Sequence, residues 1–169
     1  TSDEATYTFT VKQSANFYVS EGAAEDGNGT KAKPFKTVQE AIDALSQMDP
    51  DSARSVCIFI TGTVRGCTVI SNSGDNAITT GIADSIVIQK EKGASSAALD
   101  GNSDGTVLKI GTNVPLKIKN LKITNGSAEN GGGIHILESS KVSLVNAQIV
   151  GNTATKLGGG IYNEGILYL

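Results

Sequence analysis

The C-terminal half of this chain repeats itself, and that repeat restricts the fold more than any other feature. Leu108, Ile110, Leu116, Ile118, Asn120 and Ile123 recur as Ile134, Ile136, Val142, Leu144, Asn146 and Ile149, a 26-residue period. The run Gly131-Gly132-Gly133-Ile134 returns one residue late, as Gly158-Gly159-Gly160-Ile161. Apolar residues at matched offsets in a fixed period mark a solenoid, in which each repeat buries its face only against its neighbours.

Parity within a repeat adds a bend. Leu116 and Ile118 share one parity, whereas Leu121 and Ile123 share the other. A straight strand alternates strictly and cannot present both pairs inward. A one-residue bend at Asn120 can, and Asn tolerates the left-handed backbone that such a bend requires. Val142 and Leu144 give way to Ala147 and Ile149 across Asn146 in the same manner. With coils stacked about 4.8 Å apart, Asn120 and Asn146 are expected to lie one above the other and hydrogen-bond as a structural ladder.

Ahead of the repeat the pattern is different. Tyr7, Phe9 and Val11 share a parity and read as a leading strand. Residues 21–30 form a loop rich in turn formers. Thr37 and Glu40 make a capping box, and Val38, Ala41, Ile42, Leu45 and Met48 fall at helical spacing, so a helix is expected over 37–48 and ends at Asp49-Pro50. Such a helix can cover the first coil, whose apolar side chains and unpaired backbone would otherwise be exposed. From Ser55 onward the chain reads as short strands: 56–61, 68–70, 85–89, 107–110, 116–118 and 121–123. The expected architecture is all-β, a right-handed parallel β-helix of roughly four to five coils, each with three short sheets, behind an N-terminal amphipathic capping helix. Residues 1–54 supply leading strand, loop and helix, and residues 55–169 the coils.

Composition removes several function classes. With 14 basic and 17 acidic residues the formal charge is −3, which argues against nucleic-acid binding. No apolar run approaches the roughly 18 residues of a membrane span. Cys57 and Cys67 lack a His or second Cys at zinc spacing; they are free buried thiols or, if the chain turns back between them, a disulfide.

Two stretches resemble known proteins. Asp26-Gly27-Asn28-Gly29-Thr30 through Pro34-Phe35-Lys36-Thr37-Val38-Gln39-Glu40-Ala41-Ile42 is similar to the N-terminal loop-and-helix cap of the pectate-lyase-like superfamily of right-handed parallel β-helices. Ile149-Val150-Gly151-Asn152, followed by Gly158-Gly159-Gly160-Ile161, resembles the FxxN and GGxI repeats of polymorphic outer-membrane proteins and related bacterial surface antigens. Ile149 stands where that motif has Phe, and the earlier coil carries Asn125-Gly126 with its Asn displaced by one.

The enzymes of that superfamily are polysaccharide lyases, glycoside hydrolases and esterases. Such chemistry needs carboxylates at fixed separation on one face, or a calcium-binding acidic cluster with a base. Asp100 and Asp104 share a turn, Glu129 and Glu138 lie in others, and all four read as isolated acids without counterparts at matched offsets. The only arginines, Arg54 and Arg65, precede the clear repeats. No catalytic residues are assigned. Asp100-Gly101-Asn102-Ser103-Asp104-Gly105 matches the first half of a calcium loop, making Asp100, Asn102 and Asp104 weak ligand candidates, but Gly111 stands where the bidentate Glu belongs. The plainer reading is a polar turn. Asp26, Asn28 and Thr30 could likewise hold a cation, though the resemblance implies a turn closed by its own hydrogen bonds.

His135, the only histidine, follows Ile134 and points outward between Lys109 one coil earlier and Tyr162 one coil later. With no carboxylate or serine in register it is a poor catalyst. It is either an ordinary surface residue or part of a stripe, Lys109, His135 and Tyr162, that contacts a partner or a glycan. Lys117, Lys119 and Lys122 cluster outside one coil, as solubilising charge or as a local site for an acidic glycan. The chain stops in mid-coil at Gly165-Ile166-Leu167-Tyr168-Leu169, which suggests a piece of a longer repeat protein or an end that pairs with another copy.

The expected function is a non-catalytic, extracellular or cell-surface module of a bacterial surface antigen or adhesin, on the outer membrane, that binds a host protein, matrix protein or glycan. The alternative is the N-terminal part of a carbohydrate-active β-helix enzyme with its catalytic coils beyond Leu169. No cofactor is expected unless calcium occupies the Asp100 turn.

Overall fold

The computed structural model describes residues 13–49 and 53–169. The expected leading strand at Tyr7, Phe9 and Val11 lies outside them, as does Pro50. The element order is β1 (Gln13–Ser20), α1 (Val38–Ser46), β2 (Ala53–Arg65), β3 (Thr68–Ser71), β4 (Ser85–Lys90), β5 (Ala97–Asp100), β6 (Leu108–Gly111), β7 (Leu116–Lys119), β8 (Lys122–Thr124), β9 (Ser127–Asn130), β10 (Ile134–Ile136), β11 (Lys141–Val145), β12 (Gln148–Ile149), β13 (Thr153–Leu157), β14 (Ile161–Asn163) and β15 (Ile166–Tyr168).

The strands pair in parallel and curl into a half-barrel. Nine of them form one sheet in the order β12-β8-β5-β2-β4-β7-β11-β15, with β1 pairing β2. A four-stranded sheet runs β14-β10-β6-β3, and β9 pairs β13 alone. Parallel neighbours require a full circuit of chain between them. Val56, Ile86, Leu116, Val142 and Leu167 occupy one aligned column. Circuit length varies along it. The steps from Val56 to Ile86 and from Ile86 to Leu116 are equal, and both are longer than the step from Leu116 to Val142, which keeps the period of the repeat. The second of the long circuits carries a wider turn at 91–96, which is why the repeat is not visible there in sequence.

Inward columns of Ile, Val and Leu build the core. Ile58, Ile88 and Ile118 are aligned and fully buried, as are Leu108 and Ile134 on the smaller sheet. Each such side chain contributes roughly 2–3 kcal/mol by leaving water. Two buried hydroxyls are satisfied by backbone carbonyls: Thr112 Oγ1 donates to the Ile78 carbonyl at 2.7 Å and Ser140 Oγ to the Ile110 carbonyl at 3.1 Å. The β9–β13 ladder has no apolar signature. Its residues are all exposed or half-buried, so sequence patterning predicts three short sheets and misses this pair.

The bend resides in left-handed residues. Asn120 and Asn146 have φ of 55° and 51°, and Gly62 has 76° at the matching corner of β2, where the strand passes from pairing β4 to pairing β5. Asn146 Nδ2 donates to Asn120 Oδ1 at 3.3 Å. Asn152 fixes a second corner: its Oδ1 accepts from the Gly126 amide at 2.8 Å and its Nδ2 donates to the Ile123 carbonyl at 3.0 Å, stitching one circuit to the previous one. The glycine triplets stack backbone on backbone, with the Gly132 and Gly133 amides donating to the Gly158 and Gly159 carbonyls. A β-carbon on Gly132 would collide with the Thr153 carbonyl oxygen.

Helix α1 has the expected capping box: Thr37 Oγ1 accepts from the Glu40 amide, and Glu40 Oε2 accepts from the Thr37 amide. Its buried face is Val38, Ala41, Ile42 and Leu45. It packs on β1, β2 and β3. Gln39 Oε1 accepts from the Val69 amide at 2.8 Å, satisfying a donor on β3, the edge strand of the four-stranded sheet.

Asn120→Ala removes the side-chain hydrogen bond from Asn146 and leaves in left-handed backbone a residue that tolerates it less well than asparagine, each worth about 1 kcal/mol. Urea unfolding should show a loss of about 2 kcal/mol, and Asn120→Gly, which keeps the bend, should lose less. Equal stability of Asn120→Ala and the unaltered chain would contradict the bend's role. Gly132→Ala should melt well below the unaltered chain, whereas Gly81→Ala, whose β-carbon meets only Thr79 Oγ1 at 3.6 Å, should melt with it.

Candidate functional site

Outward side chains stand in columns with their counterparts on adjacent strands, about 4.8 Å apart. Lys109, His135 and Tyr162 form one such column on β6, β10 and β14. The His135 and Tyr162 rings lie 5.0 Å apart at 60°. The expectation that no carboxylate accompanies His135 is incorrect. Glu164, in the turn after β14, places Oε2 3.1 Å from His135 Nε2, and Tyr162 Oη donates to Glu164 Oε1 at 3.3 Å. An ionised carboxylate only accepts, so Nε2 carries the proton in this contact. The negative charge of Glu164 pushes the Tyr162 phenol up, with burial and their hydrogen bond adding to it.

Glu164 follows Glu138 at the period of the repeat, so Glu138 is not the isolated acid that it resembles in sequence. The register here has slipped by one, however, since Ile136 aligns with Asn163. Glu164 therefore occupies the place of Leu137. A concavity of about 240 Å³ adjoins the column, lined by Lys109, Glu129, Asn130 and His135. Glu129 is paired with Lys156.

A larger, open groove of about 780 Å³ follows the Asn120–Asn146 corner. The 91–96 turn borders it. Phe59 and Gln89 line it from the β2–β4 face, and Lys122 and Gln148 from the β8–β12 face. The Phe59 ring stacks on Tyr18, with centroids 5.1 Å apart and an angle of 24° between the rings. Glu91 is held down by Lys31: Nζ lies 2.6 Å from Oε1, and Thr61 Oγ1 donates to Oε2 at 2.8 Å. The Lys31 hydrogen bond, then that of Thr61, lowers the Glu91 carboxyl below its ordinary range.

The lysine cluster read from sequence divides in space. Lys122 lines this groove together with Lys90 and Lys92, whereas Lys117 lines a separate hollow with Val87, Ser143 and Tyr168. Lys90 and Lys92 belong to the longer, irregular circuit and have no counterparts in the repeat, so periodicity does not reveal them.

The Asp100 turn is closed by its own bonds. Asp100 Oδ1 accepts from the Asn102 amide at 2.8 Å and Oδ2 from Asn125 Nδ2 at 2.9 Å, while Asn102 Nδ2 donates to Asp104 Oδ2 at 3.0 Å. Asn28 Oδ1 similarly accepts from the Thr30 amide and hydroxyl, and Asp26 pairs with Lys33. Among the described residues no group of three or more His, Cys, Asp or Glu is placed to hold a metal ion. Cys57 and Cys67 are free and half-buried. Burial pushes both thiols up; Lys119 opposes this at Cys57 and Asp104 adds to it at Cys67.

Among the described residues no helix is long and apolar enough to cross a membrane. No protein-family model, curated protein or solved structure matches this chain.

Glu164→Gln removes the charge that disfavours the phenolate. The Tyr162 titration should then fall toward the ordinary tyrosine value, read as the difference in phenolate absorbance against pH between the two proteins. Superimposable titrations would show that Glu164 does not govern Tyr162.

Proposed function

We propose that this chain is a right-handed parallel β-helix module of the pectate-lyase-like kind that works by binding rather than by catalysis, on a bacterial cell surface or as a secreted protein. The parallel columns, the left-handed corners and the helix over the β3 edge support the fold reading. The surface assignment draws on the resemblance of the Gly-Gly-Gly-Ile and Ile-x-x-Asn segments to repeats of bacterial surface antigens. The observation that carries the binding reading is the open groove of about 780 Å³ along the Asn120–Asn146 corner. It lies on the parallel sheet and is lined by amide and ammonium groups suited to holding a ligand.

Three outward carboxylates fit the same reading, because they are committed to neighbours. Asp100 is held by Asn102 and Asn125, Glu91 by Lys31 and Thr61, and Glu129 by Lys156. The partner classes are a host or matrix protein and a glycan. A second reading, the early part of a carbohydrate-active β-helix enzyme, is favoured by the His135–Glu164–Tyr162 cluster, since a carboxylate that orients a histidine is one component of acid–base machinery.

Immobilised chain, challenged with neutral and acidic polysaccharides and with soluble matrix proteins, should give saturable binding to at least one of them and leave the polysaccharides intact. Appearance of reducing or unsaturated ends would replace this reading with the enzymatic one.

A further inference from the structure

We infer that the groove along the Asn120–Asn146 corner is a binding site for a strand of acidic polysaccharide, one bearing carboxylate or sulfate groups. This rests on the binding-module reading and narrows its partner.

Charge is the first argument. The chain as a whole carries −3, yet the groove reverses that sign locally. Lys90, Lys92 and Lys122 line it. Its one acidic lining residue, Glu91, already has Lys31 as an ion-pair partner. Among the described residues Lys92 and Lys122 form no ion pair, and Lys90 makes only a long contact of 3.4 Å to the Ser95 carbonyl. These ammonium groups are therefore available to an anion, and a cleft with a surplus of one sign concentrates ligands of the other.

Neutral chemistry supplies the second argument. Asn120 and Asn146 use one donor and one acceptor on each other, which leaves the Asn120 Nδ2 and Asn146 Oδ1 without a partner among the described residues. An amide offers both donors and acceptors, as a sugar hydroxyl does. Phe59, backed by Tyr18, adds an aromatic surface for the apolar face of a sugar ring. Shape agrees: the groove crosses four adjacent circuits, at Phe59, Gln89, Asn120 and Asn146, a run of roughly 14 Å at about 4.8 Å per strand. A groove that is open and elongated suits a polymer better than a compact solute.

Nucleic acid is the competing polyanion. Phosphate is preferentially held by the planar fork of arginine. Among the described residues no arginine lines the groove, and the amide-rich wall matches hydroxyls better than phosphates.

The test is titration calorimetry of the full chain at low salt with polygalacturonate, heparin, dextran and a single-stranded oligonucleotide. An acidic polysaccharide should bind more tightly than dextran and should weaken as salt is added. Polygalacturonate and heparin distinguish carboxylate from sulfate as the recognised group. The double variant Lys92→Glu/Lys122→Glu should lose affinity on the order of tenfold or more, with unchanged circular dichroism and melting. Lys141→Ala, outside the groove, should keep it. Binding of dextran as tight as that of the acidic polymers, binding of neither acidic polymer, tighter binding of the oligonucleotide, or full affinity in the folded double variant would each overturn the acidic-glycan assignment. Binding to dextran as tight as that to the acidic polymers would do so while leaving the binding-module reading intact. Cleavage of a bound polymer would overturn that reading instead.

Discussion

Parallel backbone hydrogen bonding is the constraint on which the rest of this molecule depends. It holds successive strands about 4.8 Å apart and in fixed register, so each side chain is forced to lie over its counterpart from the circuit before. Inside, this puts Val56 over Ile86 over Leu116 over Val142, and Ile58 over Ile88 over Ile118. Branched aliphatic residues fill such columns without gaps, and no polar group need enter them. Outside, the same spacing turns unrelated residues into aligned sets: Lys109 with His135 and Tyr162, or Phe59 with Gln89 and Lys119. Core and surface are thus two readings of one ladder, and only the inner one must repeat.

That division explains what the amino-acid sequence makes legible. The capping box at Thr37 and Glu40, the parity change at Asn120 and the inward columns are local or periodic, and they can be recognised before any coordinates. The pairing of β9 with β13 cannot, because Ser127–Asn130 and Thr153–Leu157 contain no buried alternation; backbone bonds, the Glu129–Lys156 ion pair and the Asn130 side chain align them. Glu164 escapes for another reason. It repeats Glu138 at the period, but the slip of register at the glycine triplets moves it into the row of Leu137, within reach of His135. Lys90 and Lys92 stay hidden because they belong to a circuit whose greater length breaks the period. The features with the most chemical character are those where regularity fails.

The two outward sites differ in how committed their charges are. Around His135 the groups satisfy one another, with Glu164 shared between an imidazole and a phenol. Along the Asn corner the carboxylate is neutralised from behind by Lys31, leaving lysines in front without ion-pair partners among the described residues. A surface of the first kind is stable as it stands. One of the second kind gains when an anion arrives.

The corner itself has a further consequence. Three circuits pass through it with left-handed backbone, at Gly62, Asn120 and Asn146. A left-handed position admits glycine and asparagine readily and penalises nearly every other residue. At Asn120 and Asn146 the groove is therefore closed to chemical diversification: neither a cation, nor an acid, nor an aromatic ring can be installed there without straining the turn. Whatever selectivity such a groove acquires must be written on its two lips, in the residues that flank each bend. A change of ligand in a molecule of this design would leave the corner untouched and rewrite its borders.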